Sequence, residues 1–119
     1  MSDAKNYSGG CHCGALRFTV DVDLDQTITC NCSICRKRGL ILGFAPVDHF
    51  RLSTDESAAQ EYLFNKHVIR HQFCRVCGVE AYSYGAMPDG TRMVAINARC
   101  LDNVDPAALK PTAYDGASH

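Results

Sequence analysis

The placement of eight cysteines constrains this chain more than any other feature, because seven of them fall into three tight motifs. The densest motif is Cys30-Asn31-Cys32-Ser33-Ile34-Cys35, followed directly by Arg36-Lys37-Arg38 and Gly39. In extended backbone a Cys-x-Cys pair puts both sulfurs on one side, because side chains alternate with period two. The Cys-x-x-Cys step that follows suits a tight turn bringing a third sulfur to the same point. Three soft thiolates on one centre suit zinc. No His or fourth Cys nearby in the sequence completes the set. Three protein ligands with an open position is the pattern of a catalytic zinc; four is that of a structural one.

A second motif is Cys74-x-x-Cys77-Gly78, a zinc knuckle whose turn aims two sulfurs at one ion, with a glycine able to take positive φ. It needs another pair to close a tetrahedral site. Cys11-x-Cys13, with Gly9, Gly10 and Gly14 around it, supplies two thiolates. Cys11, Cys13, Cys74 and Cys77 are therefore assigned to one closed structural zinc, whose binding energy is folding energy. An alternative pairs Cys74 and Cys77 with two cysteines of the Cys30 group; buried free thiols are another. Cys100 stands alone. It is either a small core residue or a fourth ligand that closes the Cys30 group. His12 lies between two ligating cysteines, where it would support them from outside the coordination sphere. His49, His67, His71 and His119 are isolated and read as surface or hydrogen-bonded residues.

A length of 119 residues suits one domain, 1–119. Hydrophobic content of 46% with 21% charge argues against disorder. The net charge of −1 and a single short basic run argue against a nucleic-acid partner. Arg36-Lys37-Arg38 reads either as a solvated turn or as an anion site beside the zinc, which would attract a carboxylate-bearing substrate. The polar N-terminus carries no apolar signal segment, and no apolar run is long enough for a bilayer. A cytoplasmic protein without membrane association is expected, and its cysteines are then metal ligands or reactive thiols rather than disulfides.

The pattern along the chain is mainly β. Residues 1–8 read as a loose start. Ala15 to Val22 alternates, with Leu16, Phe18, Val20 and Val22 facing one way. Thr27 to Thr29 is a short strand, and residues 33–38 a helical turn closed by Gly39. Leu40 to Ala45 is a buried strand bounded by Pro46, and His49 to Ser53 another short one. One hairpin turns at Asn65-Lys66 and a second at Pro88-Asp89-Gly90. Asp105 to Lys110 reads as a short capped helix, with Asp105 at the N-cap and Pro106 at N1. The tail after Pro111 carries little signal.

Taken together, Gly10-Cys11-His12-Cys13-Gly14, Cys30 through Gly39, Phe73 through Gly78 and Asn97 through Asp102 resemble the glutathione-dependent formaldehyde-activating enzyme family, which includes centromere protein V. The resemblance runs from about Gly9 to Gly116, though the chain lacks the longer terminal extensions of the family's founding enzyme. It implies a β-tent fold of two antiparallel sheets joined near a four-cysteine zinc. It implies Cys11, Cys13, Cys74 and Cys77 at a structural zinc and Cys30, Cys32 and Cys35 at a catalytic one. It also implies carbon–sulfur lyase chemistry, in which S-(hydroxymethyl)glutathione is formed from, or released to, glutathione and formaldehyde.

The expectation is a zinc-dependent carbon–sulfur lyase with two zincs per chain, the three-ligand one held more weakly. Its substrates are a small thiol such as glutathione and a small aldehyde. The rival readings are a zinc-stabilised protein- or chromatin-binding module and a thiol redox or metal-buffering role.

Overall fold

A computed structural model describes residues 4–63, 69–87 and 89–118. The strands are β1 (Lys5–Gly10), β2 (Arg17–Val22), β3 (Ile28–Cys30), β4 (Leu42–Pro46), β5 (Phe50–Leu52), β6 (Ala59–Tyr62), β7 (Arg70–Cys74), β8 (Glu80–Ala86), β9 (Arg92–Asn97) and β10 (Thr112–Tyr114), with one helix, α1 (Ser33–Arg38). Short 3-10 turns make up the rest of the regular structure. The strands form two sheets. The smaller is three-stranded, β1-β2-β5; the larger is seven-stranded, β10-β3-β4-β9-β8-β7-β6. All pairings are antiparallel except that of β10 with β3. No helix among the described residues is long and apolar enough to cross a membrane.

The core lies between the sheets. The alternation of β2 predicts its inner face, and Phe18, Val20 and Val22 are buried there with Leu16 just before the strand. From the large sheet, Tyr82 of β8 and Val94 and Ile96 of β9 meet them. Phe18, Phe50 and Tyr82 form a ring cluster, with centroids 5.3 Å apart for Phe18–Phe50 and 4.9 Å for Phe50–Tyr82. Such offset aromatic contacts add to plain area burial. Alternation also sends residues to the other face of the large sheet. Phe44, Ala95, Ser83 and His71 stand opposite one another across β4, β9, β8 and β7. Helix α1 and β3 pack against this second face through a smaller cluster of Cys35, Leu40, Leu42 and Ala95.

Three expectations need correction. The start of the chain is not loose: β1 pairs with β2 from Lys5–Val22 to Gly10–Arg17. Its residues are mostly polar because it is an edge strand, held by backbone bonds that leave no side-chain pattern. The tail is not featureless either, since the wholly exposed β10 pairs with β3 for the same reason. The helix expected over residues 105–110 is a single 3-10 turn, Pro106–Ala108. Asp105 does cap it, accepting from the Ala107 N–H at 3.0 Å, but Pro111 follows too closely for a longer helix. Both hairpins form, as β6–β7 and β8–β9. The Asn65-Lys66 turn and Pro88 lie outside the described residues.

The ring cluster joins the two sheets, and Phe18 is 1% exposed. Replacing Phe18 by Ala is expected to cost about 4 kcal/mol, read from denaturant midpoints at fixed zinc.

Candidate metal centres

The structure gathers Cys11, Cys13, Cys74 and Cys77, with their sulfurs all within 4.8 Å of one another. Cys11 follows β1 of the small sheet and Cys74 ends β7 of the large one, so the cluster straddles the junction. The sulfurs of Cys11 and Cys13 are 3.7 Å apart, and those of Cys13 and Cys74 are 3.6 Å apart. Four sulfurs about 2.3 Å from one tetrahedral zinc lie about 3.8 Å apart, so this donor set fits zinc. Backbone N–H groups steady the sulfurs: Leu16 donates to Cys11 at 3.3 Å, and Val76 and Cys77 to Cys74 at 3.3 and 3.4 Å. Gly78 takes φ +81°, the left-handed conformation that ends the knuckle. Burial opposes ionisation of Cys77, yet backbone hydrogen bonding from Val79 and Cys13 outweighs it and brings the thiol down to about 6. A thiolate ready at neutral pH is what a metal ligand requires.

Cys30, Cys32 and Cys35 form the second group, with sulfurs again within 4.8 Å. Among the described residues no fourth Cys, His, Asp or Glu joins it. Cys30 ends β3, and Cys32 is the N-cap of α1. Its sulfur accepts from the Cys35 N–H at 3.5 Å. Gly39, at φ +66°, closes the helix with its N–H on the Cys35 carbonyl. Arg36, Lys37 and Arg38 occupy the last turn, where they complement the negative helix end. Burial raises the Cys32 thiol, but hydrogen bonds from Cys35 and Cys30 outweigh it and the net shift is down. Cys35 is pushed up by burial and then by Cys32 and Cys30. Thiolates packed this closely repel one another. A divalent cation among them removes the conflict, so this donor set also fits zinc.

The C-terminal segment closes over the second group. The Asn31 N–H donates to the Tyr114 carbonyl at 3.2 Å. The Asn31 side chain donates to Asp115 at 3.0 Å and accepts from the Ala117 N–H at 2.9 Å. Gly116 sits so tightly that a Cβ there would lie 2.3 Å from the Cys30 sulfur.

Cys100 belongs to neither group. Its thiol donates toward the Glu80 carbonyl at 3.8 Å. Burial, with nearby Cys11, Cys77 and Glu80, pushes it up to about 12, which keeps it protonated. Nor do Cys74 and Cys77 pair with the Cys30 group. The basic run divides. Arg38 forms an ion pair with Glu80 and stacks over Phe73 at 5.3 Å and Tyr62 at 5.7 Å, so it anchors α1 to the large sheet. Arg36 is exposed and, with Arg99 and Asp115, lines a cleft of about 450 Å³ beside Cys30 and Cys35. Glu80 is 4% exposed and also holds Nδ1 of the buried His71 at 2.9 Å. Of the surface and hydrogen-bonded readings of His71, the hydrogen-bonded one holds, within a buried acid–imidazole–guanidinium chain. A second, apolar cleft of about 670 Å³ opens on all three thiols.

The tight seat of Gly116 makes a test of the segment around it. Gly116→Val is expected to weaken one zinc by about tenfold or more and leave the other unchanged, in competition with a chromophoric chelator. Equal affinities in variant and parent would contradict a role for residues 112–118 at this centre.

The sequence profile of glutathione-dependent formaldehyde-activating enzymes matches residues 6–115. A solved crystal structure of a protein from Rhodobacter sphaeroides is also similar, with a TM-score of 0.79 and 28% identity over 89% of this chain and 97% of that one. With a match across most of its length, the chain belongs to the glutathione-dependent formaldehyde-activating enzyme family.

Proposed function

We propose that this protein is a zinc-dependent carbon–sulfur lyase. It forms or cleaves the adduct between a small thiol such as glutathione and a small aldehyde. The observation that carries this reading is the difference between the two clusters. Four sulfurs make a closed set at the sheet junction, whereas three, with no fourth partner among the described residues, line one cleft together, and two of them, Cys30 and Cys35, line a second.

Cys11, Cys13, Cys74 and Cys77 would hold the structural zinc, and Cys30, Cys32 and Cys35 the catalytic one. When bound by three cysteines, zinc keeps a position for a thiol and favours its thiolate at neutral pH. The residues around the centre do the rest. Arg36 and Arg99 draw the carboxylates of the thiol substrate to the cleft they line. Helix α1, anchored through Arg38 and Glu80, fixes Cys32 and Cys35 relative to the sheet. The turn at Gly116 covers Cys30 and leaves the reacting sulfur to approach from the clefts. The thiolate sulfur adds to the carbonyl carbon, the carbonyl electron pair moves to oxygen, and that oxygen takes a proton. Cleavage reverses each step.

Cys32 is half-buried at a helix start rather than in the main core, so Cys32→Ser is expected to keep the fold while abolishing turnover. Exchange NMR of S-(hydroxymethyl)glutathione with formaldehyde measures this directly. The expected result is acceleration by the parent and the buffer rate for the variant. A fully active variant, or one that unfolds, would contradict a catalytic centre at these residues.

A further inference from the structure

The cleft that opens on the three thiols is larger and less polar than formaldehyde requires. Its volume is about 670 Å³. Its wall is the second face of the large sheet, where alternation along β4 presents Leu42 and Phe44, and along β9 presents Met93 and Ala95. Ile69 precedes β7 and Met87 follows β8, and both line the cleft. No Lys, Arg, Asp or Glu lines it among the described residues. Phe44, Ile69 and Met87 are 44%, 50% and 49% exposed, a concentration of open apolar surface around one reactive centre. A mostly apolar cleft opening on a few reactive polar groups is the usual form of a small-molecule site.

Cys30, Cys35 and Tyr114 line both this cleft and the one with Arg36, Arg99 and Asp115, so the two meet at the thiols. A charged thiol such as glutathione, with two carboxylates and an ammonium, is matched by the two guanidiniums and the carboxylate of that side. No Lys, Arg, Asp or Glu meets those charges on the apolar side among the described residues. The apolar side is therefore left for the other reactant.

We propose that the apolar cleft binds the carbon chain of the aldehyde, so that the preferred carbonyl substrate is an apolar aldehyde of several carbons rather than formaldehyde. This rests on the lyase reading above. The reaction is redox-neutral. The thiolate sulfur gives its electron pair to the carbonyl carbon, the carbon–sulfur bond forms as the carbonyl π bond breaks, and the oxygen receives a proton from water. The chain adds no chemistry. It adds binding that carries through to the transition state, which raises kcat/KM. Each methylene removed from water favours binding by about fourfold.

The test uses the protein loaded with two zincs, glutathione, and the series formaldehyde, propanal and hexanal, with hemithioacetal exchange followed by NMR. In parallel, 1-hexanol, which cannot form the adduct, is titrated while side-chain methyl shifts are recorded. The expected result is saturable shifts at Ile69, Met87 and Met93, and kcat/KM for hexanal about 50-fold above that for propanal. Phe44→Ser and Ile69→Ser, both at exposed positions, should each weaken hexanol by about tenfold. Turnover of formaldehyde as efficient as that of hexanal, with no hexanol shifts, would overturn the apolar assignment and leave the lyase reading intact. Hexanol binding in the cleft without acceleration for any aldehyde would overturn the assignment together with the lyase reading.

Discussion

Everything in this fold hangs on the meeting of Cys11 and Cys13 with Cys74 and Cys77. The first pair leaves the end of β1 in the small sheet; the second sits at the end of β7 in the large one. One cation held by both would fix the angle at which the sheets approach. The core is modest in a chain of 119 residues, and a cross-link through metal supplies folding energy where buried area is limited. The ring cluster of Phe18, Phe50 and Tyr82 then fills the space that the junction defines.

The three-thiol centre depends on that frame without being part of it. It lies on the opposite face of the large sheet, at the edge formed by β3 and β10. Two features hold it in place. Arg38 ties α1 to buried Glu80, and Asn31 is tied to the Tyr114 carbonyl, the Asp115 side chain and the Ala117 N–H. On the proposed division of roles, this separation would let one centre carry stability while the other stays open at the surface. An open metal position would be costly to combine with a structural role, because a change of ligand there would disturb the fold.

Much of this was legible in the sequence. Period-two alternation marked β2 and its inner face, and Cys32 through Gly39 carried both the spacing and the glycine stop of α1. The grouping of cysteines followed from the reach of Cys-x-Cys and Cys-x-x-Cys turns. What stayed hidden has physical causes. Edge strands β1 and β10 are made by backbone bonding, and their residues show no apolar alternation that would mark a strand. Glu80 and His71 meet because pairing jumps from Gln72–Tyr82 to Phe73–Glu80, a bulge that side-chain alternation does not announce. Arg38 looked like one of three equivalent surface cations, since nothing local signals a carboxylate buried on a distant strand. The apolar cleft could have been suspected from Leu42, Phe44 and Met93, which alternate with the residues of the main core. Only the strand order shows that they share a face.

On the proposed reading, one chain holds two zincs of unequal closure, one for folding and one for chemistry. Graded removal of zinc by a chelator, with metal release and far-UV circular dichroism followed together, tests it most directly. The account predicts two zincs per chain lost in two steps, the first with the sheet signal unchanged and the second together with unfolding. A single zinc per chain, or loss of both in one step with unfolding, would contradict it.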